Sequence, residues 1–366
     1  MDASNKIKIS NPTVADVIEL FCSKKLAEVT EMEIDGASNL VERILWAVIE
    51  GETTNLKTLI VNLGEGEVST DVLSQAALKV ENFSITGGLP SQVQAILTAV
   101  SESDDLPLTL KNLDLLGYGR VSGIPVNPRT LVNAVCRLET LTGWGVVLSY
   151  DQLQATFFRL ATDGVGNSSL VVCTVPPPHL QGLDLEGYLR LTNTRVSLFN
   201  VDLSQLPLDV LTGAISRLEQ LEIEEYISEY EDPMSFLTPG QLDAVLTMLA
   251  TGGSKLKELE LAGINLSGVS PELLLEAIKN LEKIHIELGT LTVEQLEAIL
   301  GMVIIEASHG RLQKIIIDCP DVLGTVNPVL LEVAKLVDDH LDIYLEHGGA
   351  WWSMERRITR ITITCN

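Results

Sequence analysis

The sequence predicts an α/β repeat protein in which a long parallel β-sheet carries helices on one face. Three observations support this fold class. Short stretches of the form apolar-x-x-apolar-x-apolar recur about every 28 residues from residue 29 onward. Most of them are followed by a stretch with helical periodicity. Apolar residues make up 46 % of the 366 residues and aromatic residues only 4 %, so the core is aliphatic and divided among many similar positions.

The strand frame occurs thirteen times, and the last positions of each occurrence alternate as strand residues do. The occurrences begin at Val29, Leu56, Val80, Leu110, Leu138, Leu170, Asn193, Leu218, Leu256, Leu281, Leu312, His340 and Ile358. One repeat cannot bury its apolar face alone, so the repeats must stack. Thirteen parallel strands about 4.8 Å apart would then line one concave surface.

The helix-start signals fall into two classes that alternate along the chain. The first class is a capping box, in which a Ser or Thr oxygen and a Gln side chain each satisfy a free backbone N–H group. It occurs at Thr292/Gln295, Thr238/Gln241 and Ser149/Gln152. The second class has proline at the first helical position, after a Ser or Asn cap. It occurs at Ser270-Pro271, Asn327-Pro328 and Asn127-Pro128. The structural unit is therefore a pair of repeats, about 55 to 60 residues long.

The frame and its length resemble those of leucine-rich repeat proteins, and the full helix in each repeat is similar to the ribonuclease-inhibitor-like subclass. The resemblance covers residues 26–366. It implies a horseshoe-shaped solenoid with the parallel sheet on the concave face and the helices on the convex face. The family carries Asn three residues past the third apolar position. Those positions here hold Gly64, Tyr118, Val146, Val201, Ile264 and Gly289. The Asn ladder is missing, so we expect neighbouring turns to satisfy their carbonyls in another way.

The chain divides into three predicted segments. Residues 1–28 form an amino-terminal capping helix that starts at Asn11-Pro12, residues 29–339 form about eleven repeats, and residues 340–366 form a last repeat and cap. Two stretches interrupt the rhythm: residues 175–194 are rich in proline, and residues 224–236 are acidic and lengthen one repeat. Insertions in solenoids often lie on the binding face, although a tolerated surface loop has the same sequence signature.

Side chains between the core positions of each strand are expected to point out of the concave face. This surface is acidic at its start, weakly apolar in its middle, where it includes Val172, and acidic again beyond. The candidate partner-binding residues are Glu31, Glu33, Asp35, Trp144, Phe199, Glu222, Glu224, Glu258, Glu260 and Glu287. Tryptophan on an exposed strand is a typical interface anchor, although it can also pack under a neighbouring loop. Glutamates opposed on adjacent strands repel unless a cation or a basic partner lies between them.

The net charge of −25, from 25 basic and 50 acidic residues, argues against nucleic acid and anionic membranes as partners. It favours a basic protein partner, although acidity also keeps a leucine-rich chain soluble. The sequence begins without a signal peptide, and its five cysteines are dispersed. Both features predict a cytoplasmic protein with free thiols. A monomer is favoured, and the sequence leaves the oligomeric state open.

The sequence contains no recognisable catalytic motif, cofactor-binding motif or metal-binding motif. No His lies with Cys or a carboxylate at the sequence spacing of metal ligands. We therefore expect no catalytic residues, no cofactor and no metal site.

The leading hypothesis is a non-catalytic interaction scaffold that binds a basic protein through the concave face. Within this class, the resemblance implies an inhibitor of a basic enzyme, the sensing end of an innate-immune receptor, or an adaptor. A second hypothesis is a regulator of a small GTPase, of the GTPase-activating type, with Arg120 as the arginine presented to the nucleotide. A third is an enzyme with a site built from residues 175–194.

Overall fold

The computed structural model describes residues 6–15, 25–36, 39–50, 55–63, 68–104, 108–116, 122–123, 126–165, 168–174, 187–192, 194–224, 237–287, 290–306, 311–318, 341–349 and 356–365. The chain forms two compact units. The first comprises residues 1–159, 165–175 and 188–193, and the second comprises residues 160–164, 176–187 and 194–366.

Both units are built from strands that alternate with helices along the chain. The first unit contains β1 (Lys6–Ser10), β2 (Glu31–Asp35), β3 (Thr58–Asn62), β4 (Asn82–Thr86), β5 (Asn112–Leu116), β6 (Ser122–Gly123), β7 (Thr140–Leu148), β8 (Ser169–Thr174) and most of β9 (Gly187–Leu191). The second contains β10 (Arg195–Phe199), β11 (Gln220–Glu224), β12 (Glu258–Ala262), β13 (Lys283–Glu287), β14 (Lys314–Asp318), β15 (Leu341–Gly349) and β16 (Arg356–Cys365). All thirteen predicted strands are present.

Each helix follows a strand in the order that the repeat predicts. A short 3₁₀ turn covers Lys25–Glu28. The helices are α1 (Asn39–Ile49), α2 (Thr70–Leu78), α3 (Pro90–Glu102), α4 (Pro128–Arg137), α5 (Tyr150–Thr162), α6 (Leu208–Ile215), α7 (Pro239–Ala250), α8 (Pro271–Lys279) and α9 (Val293–Glu306).

The strands lie side by side in a mostly parallel sheet, and the strand order is linear in each unit. In the first unit it is β1-β2-β3-β4-β5-β7-β8-β9, with β6 beside β7, and in the second it is β10-β11-β12-β13-β14-β16-β15. These findings confirm an open α/β architecture with repeating strand–helix units, which is compatible with a repeat solenoid.

Alternation along the strands separates a buried layer from an exposed one. Strands β2, β3, β4, β11, β13 and β14 each bury their second and fourth residues, whereas the first, third and fifth are half-exposed. Leu59, Ile85, Leu221 and Ile286, for example, are almost inaccessible to solvent. We call the surface formed by the first, third and fifth residues the open face. Because the strands pair in register, those residues form rows across the sheet.

Buried glutamines donate hydrogen bonds to backbone carbonyls of the preceding turns. Gln241 is only 4 % exposed. Its Oε1 accepts a hydrogen bond from the Thr238 backbone N–H (2.9 Å), which completes the predicted capping box. Its Nε2 reaches back one repeat and donates to the carbonyl oxygens of Leu203 (2.8 Å) and Leu206 (2.9 Å). One side chain therefore caps its own helix and ties down the preceding turn.

This arrangement recurs at the starts of α3, α5 and α9. Gln295 Nε2 donates to the carbonyls of Leu266 (2.8 Å) and Val269 (2.7 Å). Gln152 donates to Val126 O (2.6 Å) and Gln92 to Val68 O (2.8 Å). Of the described helices between them, α4 and α8 have proline at the first helical position and α6 has proline at its N-cap, whereas α3 and α7 combine the glutamine with a proline.

The proline class of helix start is capped as predicted where the structure describes it. The Asn127 side chain accepts from the Thr130 N–H (2.9 Å) and Ser270 Oγ accepts from the Leu273 N–H (3.2 Å). Asn327-Pro328 lies outside the described residues.

The structure corrects the sequence prediction at the amino-terminal end. Residues 6–10 of the predicted capping segment form strand β1, which pairs in parallel with β2. Most of the helix predicted from Asn11-Pro12 lies outside the described residues. The alternation Lys6-Ile7-Lys8-Ile9 was a strand signal that the assignment of residues 1–28 to a helix overlooked.

The prediction of a uniformly parallel sheet is wrong at the carboxyl-terminal end. Strand β16 pairs antiparallel with both β14 and β15. Only residues 350–355 separate β15 from β16, which is too few for the crossover that parallel neighbours need.

The register prediction for β8 is also wrong. Leu170 and Val172 are both buried, so Val172 belongs to the core and not to the open face. A slip of one residue exchanges the two faces of a strand. The proline-rich stretch contains strand β9, and its residues 175–186 lie outside the described ones.

Candidate functional site

The second unit gathers glutamates on the open face of three adjacent strands. They are Glu222 and Glu224 on β11, Glu258 and Glu260 on β12, and Glu287 on β13. We call these five residues the second-unit acidic cluster. The parallel register places Glu222 directly beside Glu260, as the sequence predicted. The apolar residues that alternate with them are buried and fix the direction in which the glutamates point.

Two basic side chains at the margin of this cluster form ion pairs with it. Arg195 Nη2 lies 3.0 Å from Glu222 Oε2, and Lys283 Nζ lies 3.8 Å from Glu258 Oε2. Together these four residues border a shallow depression of about 150 Å³. Both ion pairs are substantially exposed to solvent, so each contributes little to stability.

His285 occupies the middle of the cluster. Its Nδ1 lies 2.8 Å from Glu260 Oε1, and its Nε2 lies 3.5 Å from Glu287 Oε2. The side chain is only 13 % exposed. The hydrogen bond with His285 lowers the pKa of Glu260 below its ordinary value, against the opposing effect of burial. Glu260 is therefore ionised at neutral pH.

Glu224 experiences the negative charge of the other glutamates. Burial raises its pKa above the ordinary value, and repulsion by Glu222, Glu287 and Glu260 raises it further. In the register, Ala262 lies between Glu224 and Glu287.

The first unit has an acidic cluster of its own, Glu31, Glu33 and Asp35 on β2, but lysines accompany it. Lys6 Nζ lies 2.7 Å from Glu31 Oε1, and Lys8 Nζ lies 2.6 Å from Glu33 Oε1. The hydrogen bond with Lys8 is the main cause of the lowered pKa of Glu33. The hydrogen bond with Glu31 likewise raises the pKa of Lys6. Strand β1, absent from the sequence prediction, therefore neutralises much of this predicted binding site.

The open face between β3 and β7 carries an uncharged hydrogen-bond ladder. Asn82 Nδ2 donates to Thr58 Oγ1 (3.0 Å), and Asn112 Nδ2 donates to Asn82 Oδ1 (2.7 Å). Thr140 Oγ1 then donates to Asn112 Oδ1 (2.7 Å). One row to the side, burial raises the pKa of Asp114, whose Oδ1 has no hydrogen-bond partner among the described residues.

Of the two predicted aromatic anchors, the structure describes the side chain of Phe199 and not that of Trp144. Phe199 is the last residue of β10, half-exposed and in register with Glu224. Trp144 lies in β7, where the register with β8 shifts between Gly143 and Val147, but its side chain is outside the described part. The acidic insertion that follows Glu224 also lies outside the described part. So does Arg120, the residue proposed for GTPase regulation.

Sequence reasoning missed the role of His285. Its carboxylate neighbours are 25 residues away and two residues away in sequence, and neither separation matches a metal-ligand motif. The strand register brings them together: one donor atom from each of Glu260, His285 and Glu287 lies within 4.8 Å of the other two. The repeat length, together with a histidine on the open face, would have been the sequence signal that His285 lies beside glutamates of its own and the neighbouring strand.

Comparison with known proteins returns no match, either to a described protein family or to a curated protein. Among the described helices, none is both long enough and apolar enough to cross a lipid bilayer.

Proposed function

We propose that this protein is a non-catalytic interaction scaffold of the leucine-rich repeat type, a horseshoe solenoid whose open face binds a basic protein. The strand–helix alternation, the recurring frame and the paired helix caps support the fold assignment. The cytoplasmic location expected from the sequence belongs to the same proposal.

The second-unit acidic cluster is the observation that carries the binding proposal. Five glutamates share three adjacent strands, and Glu222 and Glu258 are the two that have Arg195 and Lys283 as partners. Glu224 lies among like charges on a rigid sheet. Repulsion among these carboxylates destabilises the unbound protein. A Lys or Arg side chain that binds between them removes this repulsion. Complementary charge also steers a basic partner toward this surface.

Phe199 adds an apolar contact beside these charges. It is half-exposed and neighbours Glu224 across the β10–β11 pair. An aromatic side chain beside carboxylates suits the aliphatic stem and charged head of a lysine or arginine.

The test compares two triple variants of equal charge in the binding of a fluorescent oligolysine peptide. The first changes Glu222, Glu224 and Glu287 to Gln. The second changes Glu272, Glu294 and Glu297, which are exposed on α8 and α9 of the same unit, to Gln. We expect the first variant to weaken binding at least about tenfold and the second less than about twofold, because only the first removes opposed charges from one surface.

Equal losses in both variants would contradict the proposal, because they would show that the peptide responds to net charge alone. Titration at two salt concentrations gives the number of charges involved, since exposed charges are screened within about 10 Å at 0.1 M salt. Circular dichroism confirms that both variants remain folded.

A further inference from the structure

The contacts of His285 pose a chemical problem that a basic protein partner does not solve. A neutral imidazole has one N–H group and one nitrogen lone pair. If Nδ1 donates to Glu260 at 2.8 Å, the lone pair of Nε2 faces Glu287 Oε2 at 3.5 Å. Two acceptors would then point at each other. Nε2 is inaccessible to solvent and has no hydrogen-bond partner among the described residues, so water does not relieve the contact.

A positive charge between the ring and the carboxylate removes this conflict. It can be a second proton on the ring or a metal ion. A metal ion requires donors about 2.0 to 2.2 Å from itself, and therefore roughly 3 to 4 Å from one another. The donor atoms of Glu260, His285 and Glu287 already lie within 4.8 Å of one another. Because the two ring nitrogens point to opposite sides of the imidazole, a metal ion on Nε2 beside Glu287 requires the Glu260 side chain to leave Nδ1 and rotate toward that ion.

The surroundings of these donors also suit a metal ion. Ala262, the residue between Glu287 and Glu224 in the register, has the shortest side chain of the three. Burial and, after it, the neighbouring carboxylates raise the pKa of Glu224, and a dication would offset the repulsion among these carboxylates. The buried alternate residues Leu261 and Ile286 hold the two ligand-bearing strands rigidly in register.

The donor types discriminate among cations. Calcium and magnesium prefer sites made of oxygen ligands alone. Imidazole together with carboxylates suits zinc and the neighbouring divalent transition metals. Three ligands from the protein leave a coordination position for water or for a side chain of a bound molecule.

We propose that Glu260, His285 and Glu287 form a binding site for one divalent transition-metal ion of the zinc class on the open face of the second unit. The proposal rests on these three side chains and does not depend on the basic partner proposed above.

The experiment is calorimetric titration of the chelator-treated full chain with zinc chloride, followed by titration with cobalt chloride under visible absorption. We expect one zinc ion per chain. His285→Gln and Glu287→Gln are each expected to weaken zinc binding by at least about tenfold, as losses of metal ligands or their supports do. Cobalt is expected to show the strong visible absorption of a four-coordinate site in the unmodified chain and to lose it in both variants.

Glu219→Gln is the matched control. It removes one charge from the same unit, but Glu219 pairs with Lys257 at 3.0 Å and belongs neither to the three donors nor to the second-unit acidic cluster. Its zinc affinity is expected to stay within about twofold of the unmodified chain. Magnesium and calcium are expected to bind at least about a hundredfold more weakly than zinc.

The proposal is overturned if His285→Gln binds zinc as tightly as the unmodified chain, since another histidine or a diffuse charge effect would then be responsible. Equal affinity for magnesium and zinc would overturn it as well. If His285→Gln does not fold, Glu287→Gln alone decides the matter. Because the titration uses metal alone, its failure would leave the oligolysine result unaffected.

Discussion

The two acidic clusters of this protein are built on the same type of strand and differ in what faces them. In the first unit, Lys6 and Lys8 lie beside Glu31 and Glu33 at 2.6 to 2.7 Å. In the second unit, Arg195 and Lys283 contact only the margin of a larger set of glutamates. The pKa of Glu33 is lowered and the pKa of Glu224 is raised. Equal local sequence patterns thus give opposite electrostatic results.

This difference indicates what each surface is adapted for. On the open face of the first unit, charged and polar side chains bond to one another, in ion pairs and in the Thr58–Asn82–Asn112–Thr140 ladder. The open face of the second unit keeps like charges together, which lowers stability. Surfaces that retain such a cost are candidates for binding. The following predictions test this contrast.

The largest expected effect is a reversal of charge at Glu224 and Glu287. Changing both to Lys should weaken oligolysine binding about a hundredfold, since each reversal removes an attraction and adds a repulsion. The same reversal at Glu31 and Glu33 should weaken it less than about threefold, because lysines already neutralise those residues. Fluorescence anisotropy measures both. A larger loss from the first-unit variant would invert the contrast.

Removal of the lysines should make the first unit resemble the second. In the variant Lys6→Gln, Lys8→Gln, Glu31 and Glu33 lose their partners, so oligolysine affinity should rise about threefold to fivefold. Lys279→Gln serves as the control, because it removes a lysine that pairs with Glu276 on a helix. An unchanged affinity would show that β1 does not neutralise this cluster in solution.

The two faces should also differ in their contribution to stability. Asn112→Ala removes the donor to Asn82 Oδ1 and the acceptor of the Thr140 hydroxyl, which should lower the free energy of unfolding by about 1 to 2 kcal/mol. Glu258→Ala should change it by less than about 0.5 kcal/mol, because its ion pair with Lys283 is exposed. Urea denaturation at neutral pH measures both. Similar values would remove the distinction between the faces.

The smallest effect is a pH dependence of opposite sign at Glu224 and Glu33. Glu224 has a raised pKa, so its ionisation opposes folding at pH 7, and this cost disappears as the pH falls below its ordinary pKa of 4.5. Glu224→Gln should therefore stabilise the protein at pH 7 by no more than about 1 kcal/mol, given its partial exposure. Below pH 4.5 the difference should vanish.

Glu33 should behave in the opposite way. Its pKa is lowered, so its ionised form supports folding above the ordinary value of 4.5, and this support is lost as the pH falls through the folded-state pKa. Glu33→Gln should lower the melting temperature at pH 7 and have no effect in strong acid. Melting curves of both variants across pH are the measurement, and equal signs for the two residues would contradict the assignment.

Much of the fold could be predicted because the same sequence pattern recurs many times along the chain. All thirteen strands predicted from the apolar frame are present. Helices also begin where Thr238/Gln241 and Ser270-Pro271 predicted them. The other function of the glutamines could not be predicted. That Gln241 Nε2 bonds to Leu203 and Leu206 depends on how repeats stack, and local sequence does not encode this distance.

The wrong predictions concern the two terminal strands, β1 and β16, and the register of β8. Strand β1 had only its own alternation to reveal it, and β16 turns back because its connection is short. In the site, the positions of the glutamates followed from the frame. Their partners Lys6, Lys8 and His285 did not, because pairing across strands depends on register between residues 25 apart and not on spacing within a motif.

The most direct test of the central claim is carboxyl footprinting of the protein with and without a basic ligand. A carbodiimide and glycine ethyl ester label exposed carboxylates, and mass spectrometry reads the labelling residue by residue. The account predicts that saturating oligolysine protects Glu222, Glu224 and Glu287, while Glu31 and Glu33 stay equally reactive. Protection confined to the first unit or to the helix glutamates Glu272, Glu294 and Glu297 would contradict it.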